Sequence, residues 1–194
     1  MDAKLLQKAY VSLLYSDHYR IADAEKEYGY IHSTMNGDRI VIERAARRRN
    51  LRTVLYADMH FAPHFFSKDF FLELVNQYCE SDSFWNWNSR TLIESFCYFV
   101  CKHAGLREEE KILFLIDGIY SGISTGMEDS PWSSTISRTH ENTLTEEIDC
   151  NLYFMLAQLN TANSLKEMNF KNKSARLRFH NENGKVALSC REAV

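Results

Sequence analysis

Two imidazoles and a carboxylate fall within seven residues in the segment Asp58-Met59-His60-Phe61-Ala62-Pro63-His64. Nitrogen and oxygen donors of this kind ligate Zn²⁺ or Fe²⁺, so Asp58, His60 and His64 are candidate ligands for a divalent metal in a metal-dependent enzyme. A helical His-x-x-x-His pair would set both rings on one face. Pro63 opposes that geometry: it pushes Ala62 out of the α region and costs a helix interior one hydrogen bond. No glutamate lies between the histidines to act as a base. What remains is a loop site, set against a structural turn packed among aromatic residues.

Cys97, Cys101 and His103 also sit close in sequence. On a helix the two sulfurs lie about 40° apart, but the imidazole falls roughly 120–160° away, so the three cannot close on one ion. Gly-x-Ser-x-Gly, a Gly-Lys-Ser/Thr phosphate loop and Gly-x-Gly-x-x-Gly are all missing from the chain. The balance of motifs therefore leans away from an enzyme.

Two basic clusters offer a different chemistry. With 39–49 helical, Arg44, Arg47 and Arg48 are expected on the solvent arc, followed by Arg49 and Arg52. Between 166 and 191, seven basic residues, Arg176 and Arg178 among them, face two acidic ones. Such patches bind nucleic-acid phosphates or an acidic protein surface, although an ordinary solvated face has the same composition. Trp85 and Trp87 share one short connection. They either cap a helical core or stand out as anchors for a partner. Phe114 falls on the polar side of its helix, one turn from Gly118, where another element can approach closely.

The elements that position these residues follow from composition and period. The chain has 194 residues, 45% of them hydrophobic and 13% aromatic, with two prolines and seven glycines, as expected of one folded helical domain. A net charge of −3 gives no global attraction to polyanions. No run of 18 apolar residues spans a membrane, and the start lacks a signal peptide's apolar core. Five cysteines, an odd number, read as free thiols in a reducing cytoplasm.

Helices are expected over 4–15, over 19–28 with a stop at Gly29, over 67–79, over 89–104 and from 107 onward. Asn36-Gly37 reads either as a hairpin turn or as the entry to a helix over 39–49, and the helix formers that follow favour the latter. Residues 51–59 fit a strand or a helix. Residues 121–142 lose their period and read as a mobile polar loop. Thr143-Leu144-Thr145-Glu146 reads as a capping box opening a helix to Asn160. A β-hairpin over 174–191, turning at Glu182-Asn183-Gly184, closes the chain.

The expected fold is mainly α: a single-domain bundle of about five to seven helices with a small C-terminal β-hairpin. The expected function is a non-enzymatic protein- or peptide-binding adaptor using Trp85, Trp87 and Phe114. The first alternative is a nucleic-acid-binding regulator using the Arg44–Arg52 segment with Arg176 and Arg178, and the second is the metal enzyme. The sequence sets no oligomeric state.

Overall fold

The structure, a computed structural model, describes residues 2–86, 89–103, 105–132, 135–140 and 143–192. The fold is mainly α with a C-terminal antiparallel sheet. The helices are α1 (Ala3–Tyr15), α2 (Glu25–Thr34), α3 (Gly37–Asp58), α4 (Ala62–Phe65), α5 (Lys68–Cys79), α6 (Asp82–Trp85), α7 (Leu92–Cys101) and α8 (Glu108–Ser124). The strands β1 (Thr135–His140), β2 (Thr143–Cys150), β3 (Ala175–Glu182) and β4 (Lys185–Glu192) form a meander in chain order. No helix among the described residues is long and apolar enough to cross a membrane.

Local chemistry explains most of the boundaries. The Asp2, Ser67 and Thr91 side chains accept backbone N–H bonds at the starts of α1, α5 and α7, satisfying donors that a helix leaves unpaired. Asn36 caps α3, so Asn36-Gly37 begins a helix rather than a hairpin, and α3 continues unbroken through 51–58. The hairpin forms where expected: Glu182 pairs with Lys185, and Asn183 (φ 52°) and Gly184 (φ 79°) take the left-handed conformation that a two-residue turn needs.

Three expectations fail. The helix expected over 19–28 is shifted to Glu25–Thr34 and Gly29 lies inside it, because Asp23, at φ 63°, turns the chain just before α2. The stretch expected as a loop over 121–142 contributes the end of α8 and all of β1. The capping-box helix at 143–160 is instead strand β2, followed by a short 3-10 turn at Leu156–Asn160. Leu144, Glu146 and Ile148 point inward along β2, and the charge at its middle hides the strand period.

Two apolar cores result. The larger joins α3 through α8 to the inner face of the sheet, with Phe71, Phe96, Phe114, Ile119 and Phe179 fully buried. The smaller lies between α1, α2 and the start of α3, around Ala9, Leu13, Tyr28, Ile31 and Ile40. Helix α3 links them, carrying Ile40 in one core and Leu55 in the other. At Gly118 a Cβ would stand 2.7 Å from Cys97 Cβ and 2.9 Å from Trp132, so a glycine lets α7 and Trp132 close on α8. The close approach expected beside Gly118 is therefore filled from within the chain.

Candidate functional site

The metal motif spans the junction between α3 and α4. Asp58 is exposed as the last residue of α3, His64 is exposed within α4, and the His60 ring stands edge-on to Tyr120 with centroids 4.5 Å apart. Among the described residues, no three His, Cys, Asp or Glu side chains group as metal ligands. What organises the motif is Asp117 of α8. Its buried carboxylate accepts from the backbone N–H groups of His60 (2.7 Å), Phe61 (3.0 Å) and Ala62 (2.7 Å). These amides open α4 and have no helical partner, so Asp117 caps them from another helix. Desolvation pushes the Asp117 carboxyl up to about 6, against the pull of the three amides. The segment reads as a stapled turn. A polar residue among Ile116, Gly118 and Ile119 on a buried helix arc is the signal that could have revealed it.

The arginines expected on the solvent arc of α3 lie elsewhere. Arg44 Nε donates to Leu13 O (2.7 Å), and Arg48 donates to Tyr15 O (2.6 and 2.9 Å). Both guanidiniums also pair with Asp17, and Arg48 with Glu80. They satisfy carbonyls left open at the C-terminus of α1, which turns them toward the protein. Arg47 pairs with Glu43 one turn away (3.0 Å). The apolar arc of Val41, Ile42, Ala45 and Ala46, which the sequence pattern groups on one face, is consequently turned to solvent.

Glu80 anchors this cluster. Burial pushes its carboxyl up, but the Ser16 hydroxyl, the Asp17 amide and Arg48 outweigh that and hold it at about 2. A carboxyl whose folded pKa lies below its unfolded value stabilises the fold above about pH 4.5, and that stability is lost as pH falls toward 2. Glu80→Gln is therefore expected to cost about 2 kcal/mol at neutral pH. The deficit should shrink steadily on acidification when both proteins are unfolded in urea; a deficit independent of pH would refute the assignment.

Part of the C-terminal basic patch is paired across the sheet. Register sets Arg176 opposite Asp149 and Arg178 opposite Glu147, and the side chains pair at 2.7 and 3.3 Å. Lys173 pairs with Glu192 (3.2 Å), one residue beyond the stretch that looked basic.

A second buried charge group joins the helices to the sheet. The side chains of Arg90, Glu94 and Glu146 are fully buried; Arg90 Nη2 lies 2.6 Å from Glu94 and 2.8 Å from Glu146. Arg90 also donates to Met127 O (3.0 Å), and Ser130 Oγ to Glu146 (2.6 Å). Burial pushes the Glu94 carboxyl up while Arg90 opposes the shift. A Cβ on Gly122 would come within 2.6 Å of the Arg90 guanidinium, so only glycine leaves room there.

The aromatic anchors fare unevenly. Phe114 is fully buried and packs on Phe66 (5.2 Å) and Phe71 (5.6 Å), because the polar side of α8 faces the α4–α5 aromatics. Trp85 is half-buried: its Nε1 donates to Cys79 O (2.9 Å) and its ring meets Phe84 edge-on, so it caps α5. Trp87 lies outside the described residues. All five cysteines are unpaired, and burial pushes the Cys79 thiol up to about 12 and the Cys97 and Cys101 thiols further.

Exposed apolar side chains gather at the N-terminal end instead. Of the eight large ones among the described residues, six (Val11, Tyr19, Tyr30, Val41, Ile42 and Val54) lie on or beside α1, α2 and α3. Between α1 and α2 runs a groove of about 300 Å³ whose walls include Leu6, Tyr10, Tyr30, Ile31 and Met35. Lys4 and Lys8 follow the groove residues Ala3 and Gln7, Lys26 stands one turn before Tyr30, and none of the three has an ion-pair partner among the described residues. The sequence pattern missed this groove because the reading placed α2 six residues too early. No protein-family model, curated protein or solved structure matches the chain.

Proposed function

We propose that this chain is a non-enzymatic adaptor that binds a partner protein through the groove between α1 and α2. The observation that carries the reading is the groove's almost wholly apolar lining. Residues at i, i+3, i+4 and i+7 on α1 (Ala3, Leu6, Gln7, Tyr10) form one wall, and Tyr30, Ile31, Thr34 and Met35 form the other. A groove of this kind accepts the apolar face of an amphipathic helix. Five unpaired thiols are in keeping with work in a reducing, cytoplasmic compartment.

The nucleic-acid alternative relies on the Arg44–Arg52 segment and the basic C-terminal hairpin, where Arg44, Arg48, Arg176 and Arg178 already pair with Asp17, Glu80, Asp149 and Glu147. The metal alternative relied on three side chains that do not converge.

The test is fluorescence anisotropy with amphipathic helical peptides, alongside peptides of the same composition scrambled to lack an apolar face. The amphipathic set is expected to bind, and the pair Leu6→Ala and Tyr30→Ala to weaken binding about tenfold or more. Equal binding of both sets, or no effect of the pair in a variant that melts normally, would overturn the reading. Salt-sensitive binding to an oligonucleotide, lost on replacing Arg178, would favour the regulator instead.

A further inference from the structure

We infer that the outward face of α3 pairs with the same face of a second copy of this chain, forming a two-fold dimer. This face shares no residue with the α1/α2 groove, so each inference stands or falls alone. Its apolar content is high for a solvent face: Ile42 is 67% exposed and Val41 59%, and Ala45 and Ala46 are exposed one turn on. An isolated exposed apolar residue needs no explanation, but four clustered on two successive turns of one helix do. The row faces outward because Arg44 and Arg48 are committed inward to α1 and Glu80.

What names the occupant is the charge at the two ends of the row. At about 100° per residue, Asp38, Ile42 and Arg49 fall within about 40° of one another around the helix. Among the described residues, neither the Asp38 carboxylate nor the Arg49 guanidinium has an ion-pair partner; Arg49 Nε only returns to Ala45 O (3.1 Å). They are separated along the axis by eleven residues, about 16 Å. A two-fold axis level with Glu43 and Arg44, perpendicular to the helix, sets Asp38 of one copy beside Arg49 of the other, and the reverse. The same operation lays Ile42 of each copy against Ala45 of the other, where a small side chain gives room for a large one. Self-complementarity of charge and size under a single rotation is what an isologous interface requires. The centre of the face is apolar, with Asp38 at one end and Arg49 and Arg52 at the other.

One helix pair buries less than the roughly 1,600 Å² of a standard interface, so a weak dimer with a Kd on the order of 10 µM is expected. Sedimentation of the full chain from low micromolar to several hundred micromolar reads it directly. Ile42→Lys should leave a monomer at every concentration, with an unchanged helical spectrum and melting curve. Asp38→Arg and Arg49→Asp should each weaken the dimer about tenfold, since each interface holds the pair twice, and the double variant should recover it. A wild-type chain that stays monomeric at several hundred micromolar overturns the proposal. So does a dimer that Ile42→Lys leaves intact, or one that the double charge exchange fails to restore.

Discussion

Replacing Arg90 by Ala should lower the stability of the chain by about 4 kcal/mol, because it takes the counter-charge from two fully buried carboxylates. Glu94 and Glu146 are both fully buried and both rely on the Arg90 guanidinium, at 2.6 and 2.8 Å. Taking the cation from a buried ion group leaves its carboxylates desolvated without their counter-charge, which costs far more than the pair gains over an apolar filling of the same shape. The change also frees Met127 O and opens space beside Gly122. Urea unfolding with a shifted midpoint and unchanged slope is the measurement. Glu94→Gln should cost less, since an amide still accepts from Arg90 and leaves one carboxylate for one cation. A loss below about 1 kcal/mol for Arg90→Ala would mean that the triad is hydrated or rearranged in solution.

Asp117→Asn is the second large effect, expected at about 3 kcal/mol at neutral pH. The Asp117 carboxylate serves three backbone N–H groups at the entry to α4, and an amide brings an NH₂ against donors that need an acceptor. Its pH dependence runs opposite to that of Glu80. Between about pH 6 and 3.8 the folded chain holds a proton on Asp117 that the unfolded chain has released. The folded state binds more protons there, so this group's contribution to stability rises as pH falls through that window, by up to about 3 kcal/mol. Asparagine does not titrate. The gap between wild type and Asp117→Asn should therefore widen on acidification, whereas the gap for Glu80→Gln narrows. Parallel urea series between neutral pH and about pH 4 separate the two. A constant gap for Asp117→Asn would show that the three amides, rather than desolvation, dominate its ionisation.

Much of the helical scaffold was legible because its causes are local. Ser67 capping 68–79, the acidic start of α8 at Glu108–Glu110 and the Asn183-Gly184 turn all depend on residues within a few positions of each other. Those interactions are written in the order of the chain. The hairpin over 174–191 was visible for the same reason, since its apolar alternation is unbroken by a buried charge.

The tertiary structure decided what depends on partners far apart in the chain. Helix α3 faces the way it does because Arg44 and Arg48 find Leu13 O, Tyr15 O, Asp17 and Glu80, between 27 and 33 residues away. A periodicity count treats arginine as a surface residue and so turned the helix by half a revolution. Strand β2 was read as a helix because Glu146, inward at its centre, is paid no attention by local pattern until Arg90, 56 residues away, is brought beside it. The Asp58–His64 segment looked like a ligand set because Asp117, 55 residues from Ala62, is what its backbone serves. In each case a buried charge breaks the apolar pattern, and only its distant partner, once folded against it, removes the desolvation cost that would otherwise exclude it from the core.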